Sequence, residues 1–424
     1  MSAIQDHKAA QGAATRQALW HNRDYLLLLF GQGVSFAGSQ VSQFAFPLLV
    51  LLLSGSSAWA GIASALVVVP ALFLSLPAGA LIDRWDRKRV MILCDIGRAL
   101  CLASIPVALF IGHLTIIQLC AAALVEGTFY AFFNLAETAS LPHVVSEGQL
   151  TTAGTQDSAA KNLAFLVGPA LGGWLLGVAR ALPFLFDAVS YTVSIVSLLL
   201  IKTAFQERRS APPQQLWTEI REGLSWLWHT PIVRFFAGLA WAGNALDNSI
   251  VLLFIVIATH ERVSPFMIGV VYTVVGIGGF LAAASADRVQ ARFRLGTITL
   301  VSEWTTLLLL PFLLVPNILV LGAIITVLTV ASALQGTVQY PYRLALIPDA
   351  LQGRVNSVFR MVSLAGPPLG LALTGGLLQV SGVATAVLFW TALIGTLTVA
   401  VTLNRSLRNA PPLSTKEILT KGGL

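Results

Sequence analysis

The chain has 424 residues, of which 56% are hydrophobic and 11% charged, with a mean hydropathy of +0.79. No water-soluble domain needs that much apolar surface, so the soluble classes are excluded and an all-α polytopic membrane protein is expected. A net charge of +7 suggests nucleic acid in a soluble chain, but here the distribution of charge decides. When the apolar runs are threaded alternately through a bilayer, nearly every Lys and Arg falls on one side; only Arg180 and Arg262 fall on the other. This is the positive-inside pattern, so the basic balance reports topology, no nucleic-acid partner is implied, and both termini are expected in the cytoplasm.

Residues 1–22 are polar and contain no apolar core ahead of a cleavage site, so the first span is expected to direct its own insertion. That span, about 25–53, carries Gln32, Ser35, Gln40, Ser42 and Gln43. Polar side chains in a span prefer the bundle interior, so they line a cavity or hydrogen-bond neighbouring helices. The second and third spans, 58–82 and 90–112, flank a loop with four cations in six residues, Arg84 to Arg89. So short a connection makes them antiparallel neighbours. Asp83 stands at a helix C-terminus, where a carboxylate faces the negative end of its own dipole and needs an outside partner. In the third span, Asp95 and Arg98 are three apart and are expected to pair with each other or with loop charges.

The fourth span, about 115–139, places Glu126, Tyr130 and Asn134 on one face, with Phe133 beside them. A loop from Leu141 to Leu150 leads to the fifth span, about 157–179, with Gly168-Pro169-Ala170-Leu171-Gly172-Gly173. Small residues let helices approach closely and Pro kinks them, so this phrase reads as a helix-packing kink or as a mechanistic element. The sixth span, about 182–202, carries Asp187. Residues 203–233 form the longest polar stretch, and Leu216, Ile220, Leu224 and Leu227 recur there at helical spacing. An amphipathic helix on the cytoplasmic face is expected.

The second half repeats the plan. The seventh span, about 234–257, holds Trp241 and Asp247, and the eighth, about 265–286, ends at Asp287-Arg288. The ninth, about 297–315, holds Glu303. The tenth runs about 317–340, the eleventh carries Gly366-Pro367-Pro368, and the twelfth runs about 382–403. Asp287-Arg288 echoes Asp83-Arg84, and Ile347-Pro348-Asp349 echoes Leu141-Pro142-His143, at offsets of about 204 and 206 residues; a duplicated six-helix unit follows. The expected divisions are a cytoplasmic segment 1–22, a six-helix bundle 23–202, a linker 203–233, a second bundle 234–403 and a tail 404–424.

The phrase Gly79-x-Leu81-x-Asp83-Arg84-x-x-Arg87-Lys88 is similar to the loop motif between the second and third helices of the major facilitator superfamily. Asp86 replaces the usual Gly, and the form D-R-x-D-R-K resembles the branch containing macrolide efflux pumps and the enterobactin exporter. The Gly168-Pro169 phrase is similar to the antiporter motif of drug/proton exchangers, with Ala164 in place of its upstream Gly. The resemblance implies two pseudo-symmetric six-helix bundles with a midplane cavity lined by the first, fourth, seventh and tenth helices. It also implies a monomer in a bacterial inner membrane that exports a bulky amphipathic small molecule, a macrolide-like drug or a siderophore, by proton antiport with alternating access. A lysophospholipid transporter is the alternative within transport, and a non-transporting membrane receptor the alternative outside it.

Enzyme chemistry has no support. His113, His143, His229 and His260 sit in or beside loops. Cys94, Cys101 and Cys120 read as buried small hydrophobes, and no Walker loop, metal-ligand spacing or cofactor motif is present. What remains is the ionisable groups inside the membrane: Glu126, Asp187, Asp247 and Glu303, with Glu126 and Asp247 at mid-depth in opposite halves. A carboxyl group withdrawn from water suits proton pick-up and release near neutral pH. Glu126 can equally hold a cationic substrate, Asp187 is expected to orient its helix, and Glu303 is expected to pair with Arg294 or another loop charge. Gln32, Gln43, Tyr130, Asn134, Phe133 and Trp241 are the expected substrate contacts, although aromatics such as these also pack helix against helix. Gly79, Asp83, Arg84, Arg87, Lys88, Asp287, Arg288 and Arg354 are expected to form a cytoplasmic gate, with Arg354 and Asn356 as partners for Asp83.

Overall fold

The computed structural model describes residues 19–82, 84–206, 216–315 and 317–403. Twelve helices there are long and apolar enough to cross a membrane. In chain order the helices are α1 Arg23–Ser54, α2 Ser57–Ile82, α3 Arg87–Phe110, α4 Ile116–Val144, α5 Leu150–Val178 and α6 Leu182–Leu200. A short helix α7, Leu216–His229, follows, then α8 Pro231–His260 and α9 Pro265–Arg292. The ninth span is broken into α10 Leu295–Thr305 and α11 Leu309–Leu314 by a 3-10 turn at Thr306–Leu308. The last three are α12 Ile318–Leu346, α13 Gln352–Val380 and α14 Gly382–Leu403. In hydrocarbon every backbone polar group must be satisfied within its own segment, so these apolar runs have no stable form but the helix.

The turns follow local chemistry. Asp86 caps α3 by accepting from the Arg89 amide at 3.1 Å, and Thr115 caps α4 by accepting from Gln118 at 3.2 Å. Gly55 and Gly382 adopt φ of +63° and +79° at the tight α1–α2 and α13–α14 corners, a region open to glycine at no steric cost. Several boundaries differ from expectation: α9 runs on to Arg292 and so includes Asp287-Arg288, and α12 runs on to Leu346. α4 runs through Pro142 to Val144 and α5 begins at Leu150, so most of the expected loop is helix. The polar start of α5 (Thr151, Thr152, Gln156, Asp157) hid that turn from an apolar pattern.

The chain separates into two compact units. The first comprises residues 1–49, 66–212 and 264–270; the second comprises 50–65, 213–263 and 271–424. In the first, Tyr25, Leu28, Met91, Phe133, Ala136 and Leu198 form an apolar core. Polar residues clamp the helix ends around it. Asn22 donates to the Val144 carbonyl at 2.8 Å, and Asp24 accepts from the Lys202 and Thr203 amides at 3.1 and 2.8 Å. In the second unit, α7 joins the core through Leu227, which lies with Val233, Phe236, Tyr342 and Phe359. Leu100, Phe110 and Leu199 stay exposed, as apolar side chains on a lipid-facing surface do.

Candidate functional site

The first unit holds a buried polar network where α1, α3, α4 and α6 meet. Arg98, 1% exposed, lies about 16 Å along α3 at 1.5 Å per residue, which is mid-span. Its Nε and Nη2 donate to Glu126 Oε1 at 2.8 and 2.6 Å, and Nη2 also donates to Ser39 Oγ at 3.0 Å. The Tyr191 hydroxyl lies 2.9 Å from Glu126 Oε1, 3.2 Å from Asp187 Oδ2 and 3.0 Å from Ser39 Oγ. Ser42 donates to Asp187 Oδ2, and Ser190 to Asp187 Oδ1 at 3.1 Å. Asp95 is fully buried one turn from Arg98, its Oδ1 3.9 Å from Nη1. One guanidinium thus faces two carboxyl groups, and Tyr191 ties the third, Asp187, to Glu126.

The sequence builds this network through small residues. A Cβ on Gly38 would overlap Ser190 Oγ and come within 2.6 Å of Asp187 Oδ1; a Cβ on Gly31 would lie 2.7 Å from Ser197. α1 and α6 therefore touch along Gly31, Gly38, Ser190 and Ser197, positions seven apart that recur on one helix face. The aromatic faces of Tyr191, Tyr130 and Phe133 stand 4.2, 5.4 and 5.8 Å from the Arg98 guanidinium carbon and hold the cation as well.

Beside the network is a cavity of about 260 Å³ lined by Gln32, Phe36, Arg98, Tyr130, Asn134 and Lys161, among others. Lys161 Nζ is 2.9 Å from both Glu137 and Asp157 carboxylates. The wall combines ring faces, amides and two cations, which suits a ligand with apolar bulk and a few polar groups. Gln32 lines the cavity and also donates to Ser194 Oγ at 3.2 Å, so it does both things open to a polar residue in a span.

The remaining expected site residues lie apart from this cavity. Gln43 is on an exposed face. In the second unit, half-buried Asp247 accepts from Ser332 Oγ at 2.9 Å, and Glu303 accepts from Gln335 Nε2 at 2.9 Å. Glu303 makes no ion pair with Arg294 among the described residues. The Trp241 carbonyl packs against Gly366, where a Cβ would overlap it. Gly168 and Gly172 let α5 close on Gln40 and Val41 of α1, and Gly173 sits against Pro265.

Asp83 lies outside the described residues. Around it, Arg84 is exposed and Gly79 has open space. Arg87 Nη1 donates to the Ala139 carbonyl at 2.8 Å, and Lys88 Nζ to the Ile201 carbonyl at 2.6 Å. Both cations thus cap carbonyls near the ends of neighbouring helices, a favourable place for positive charge. Arg354 Nη1 donates to Glu222 of α7. Asp287 and Arg288 are exposed and form no ion pair among the described residues.

Sequence reasoning missed Arg98 as the centre, together with Tyr191, Ser39, Glu137 and Lys161. One signal was available: Arg98 is the single Lys or Arg between Arg89 and Lys161, deep in an apolar run. A charge so placed needs a carboxylate within reach.

Twelve spans among the described residues define a polytopic α-helical membrane protein. The fold resembles that of the nucleoside transporter NupG, with a TM-score of 0.69 at 14% identity, covering 89% of this chain and 98% of that one. The family model described as a transmembrane secretion effector matches residues 21–416, and the chain belongs to that family of the major facilitator superfamily. It is 30% identical to the multidrug efflux pump Tap of Mycolicibacterium fortuitum over 375 residues, 84% of this chain and 90% of that protein. It is 25% identical to the enterobactin exporter EntS of Escherichia coli O1:K1 / APEC over 359 residues, 81% of this chain and 83% of that one.

Proposed function

We propose that this chain is a secondary active exporter of a bulky amphipathic small molecule, a drug or a siderophore, driven by proton antiport with alternating access. The observation that carries the reading is the Arg98 network beside the aromatic cavity. One buried guanidinium balances one carboxylate, so two of the three acids Asp95, Glu126 and Asp187 are in surplus, and the network forms a place where protons exchange next to a ligand space. Glu126 is the coupling acid because it alone bonds Arg98 directly at hydrogen-bond distance and adjoins Tyr130 on the cavity wall. The names of Tap and EntS support export of this class of compound.

Asp247 and Glu303 are secondary acids in this scheme. Asp83, Arg84, Asp287 and Arg288 serve as gate residues, while Arg87 and Lys88 fix the helix ends that the gate moves against. The bundles 23–202 and 234–403 act as the moving bodies. The protein works as a monomer in a bacterial inner membrane, with both termini cytoplasmic.

The test is accumulation of a macrolide and of a catecholate siderophore in cells with and without the protein, each with and without a protonophore. Lower accumulation that the protonophore abolishes is expected, together with its loss in Glu126→Gln. Export that survives the protonophore overturns proton coupling. Unchanged accumulation of both compounds, with lysophospholipid movement instead, overturns the substrate class.

A further inference from the structure

Asp95 is the one acid of the network that accepts no hydrogen bond among the described residues; its nearest cation, Arg98 Nη1, stands 3.9 Å from Oδ1. It is completely buried, and neither carboxyl oxygen has a hydrogen bond among the described residues. Ser194 of α6 comes near it without reaching hydrogen-bond geometry. An ionised carboxylate with no hydrogen bond and its cation held off at 3.9 Å is costly in a protein interior, and a neutral acid there costs less. Glu126 is the opposite case: its Oε1 takes two bonds from Arg98 and lies 2.9 Å from the Tyr191 hydroxyl, as an ionised carboxylate prefers.

Arg98 can serve either acid. Its Nη1 makes no hydrogen bond among the described residues and lies 3.9 Å from Asp95 Oδ1, about 1 Å short of a charge-assisted bond. The rings of Tyr191, Tyr130 and Phe133 surround the guanidinium, and their attraction for the cation does not depend on which carboxylate it faces. Glu126 Oε2 is itself buried and unpartnered, open to a second occupant.

Building on the coupling role given to Glu126, we propose that Asp95 is a second proton site, and that Arg98 passes between Glu126 and Asp95 as the proton is exchanged. With Arg98 on Glu126, Asp95 holds a proton. A proton or a cationic group of the ligand arriving at Glu126 displaces the Arg98 guanidinium, which closes the remaining distance of about 1 Å to Asp95 and expels the proton there. One cation enters the trio and one proton leaves, so its total charge is constant. The groups facing this exchange are Glu126 and Glu137 from α4, Asp187 and Tyr191 from α6, and Cys94 on α3; α1 contributes hydroxyls. Asp95 and Arg98 act as positioning residues for Glu126.

The test is infrared difference spectroscopy on the full-length purified protein near neutral pH, without substrate, reading the carbonyl band of protonated buried carboxyl groups. Asp95→Asn is expected to remove one such band, and Asp95→Glu to move it. Glu126→Gln is expected to remove the same band although Asp95 is still present, because Arg98 then turns to Asp95 and ionises it. A spectrum unchanged by Asp95→Asn overturns the proposal, since Asp95 would be a permanently ionised partner of Arg98. A band that persists in Glu126→Gln also overturns it, since Arg98 would not move. If Asp95→Asn is not recovered as a folded protein, the Asp95→Glu and Glu126→Gln spectra decide alone. Because no substrate is used, failure of the export assay and failure of this exchange are separate results.

Discussion

The two units treat their intramembrane acids in opposite ways. In the first, Glu126 is held by the Arg98 guanidinium at 2.6 Å and Asp187 is tied to it through Tyr191. In the second, Asp247 and Glu303 have neutral partners, Ser332 and Gln335, and no cation among the described residues. A buried ion pair depends on both members, because removing either strands a charge; a carboxyl group bonded to a hydroxyl or amide exists comfortably as a neutral acid. The first arrangement couples charge to geometry. The second does not, and substitution should expose the difference.

Arg98→Ala is the largest expected effect. It leaves Glu126 buried without a cation and empties space beneath three aromatic rings, a loss on the order of 3–5 kcal/mol. Thermal unfolding of the purified protein should show a large drop or no recoverable protein. The paired change Arg98→Met with Glu126→Leu should regain most of that stability while transport stays absent, since apolar replacement of a buried pair is often neutral. If Arg98→Ala unfolds like the wild type, Arg98 is not the centre of the unit.

Gly38→Ala comes next. Its Cβ would overlap Ser190 Oγ and crowd Asp187, so α1 and α6 have to separate; overpacking of this kind costs about 1–3 kcal/mol. Lower unfolding temperature with weakened transport is expected. Gly79→Ala, facing open space, should be silent in the same assay.

These contrasts also show what the sequence could and could not tell. The spans were legible because hydrocarbon demands long apolar runs with their own backbone bonds. Glu126 was legible because a carboxylate in such a run is costly. Its partner was not: Arg98 and Glu126 are 28 residues apart on different helices, and the local i, i+3 rule pointed to Asp95 instead. Ser39, Ser190 and Ser194 read as filler until the close approach at Gly31 and Gly38 placed them opposite one another. Arg87 and Lys88 were expected in the gate, and only the fold shows that they cap the carbonyls of Ala139 and Ile201.

In the second unit, Asp247→Asn should be mild for folding. Asn keeps a hydrogen-bonding atom for Ser332, so the stability change should stay within about 1 kcal/mol. Transport is then the informative readout. A strong loss of export with unchanged unfolding would give the second unit a proton of its own, whereas full activity would confine coupling to the Arg98 network.

The smallest effect belongs to Arg354→Ala. Its pair with Glu222 joins α13 to α7, but the two side chains are 38% and 46% exposed, so water and salt screen the attraction. A loss of at most about 1 kcal/mol is expected, shrinking further at high ionic strength. The same substitution separates two roles for this arginine. If it only fastens α7, transport should follow the small stability change, and Glu222→Gln should behave the same way. If Arg354 is a gate residue that meets Asp83 during the cycle, Arg354→Ala should slow transport far more than Glu222→Gln at equal stability, and that inequality would return the gate to the residues where its motif placed it.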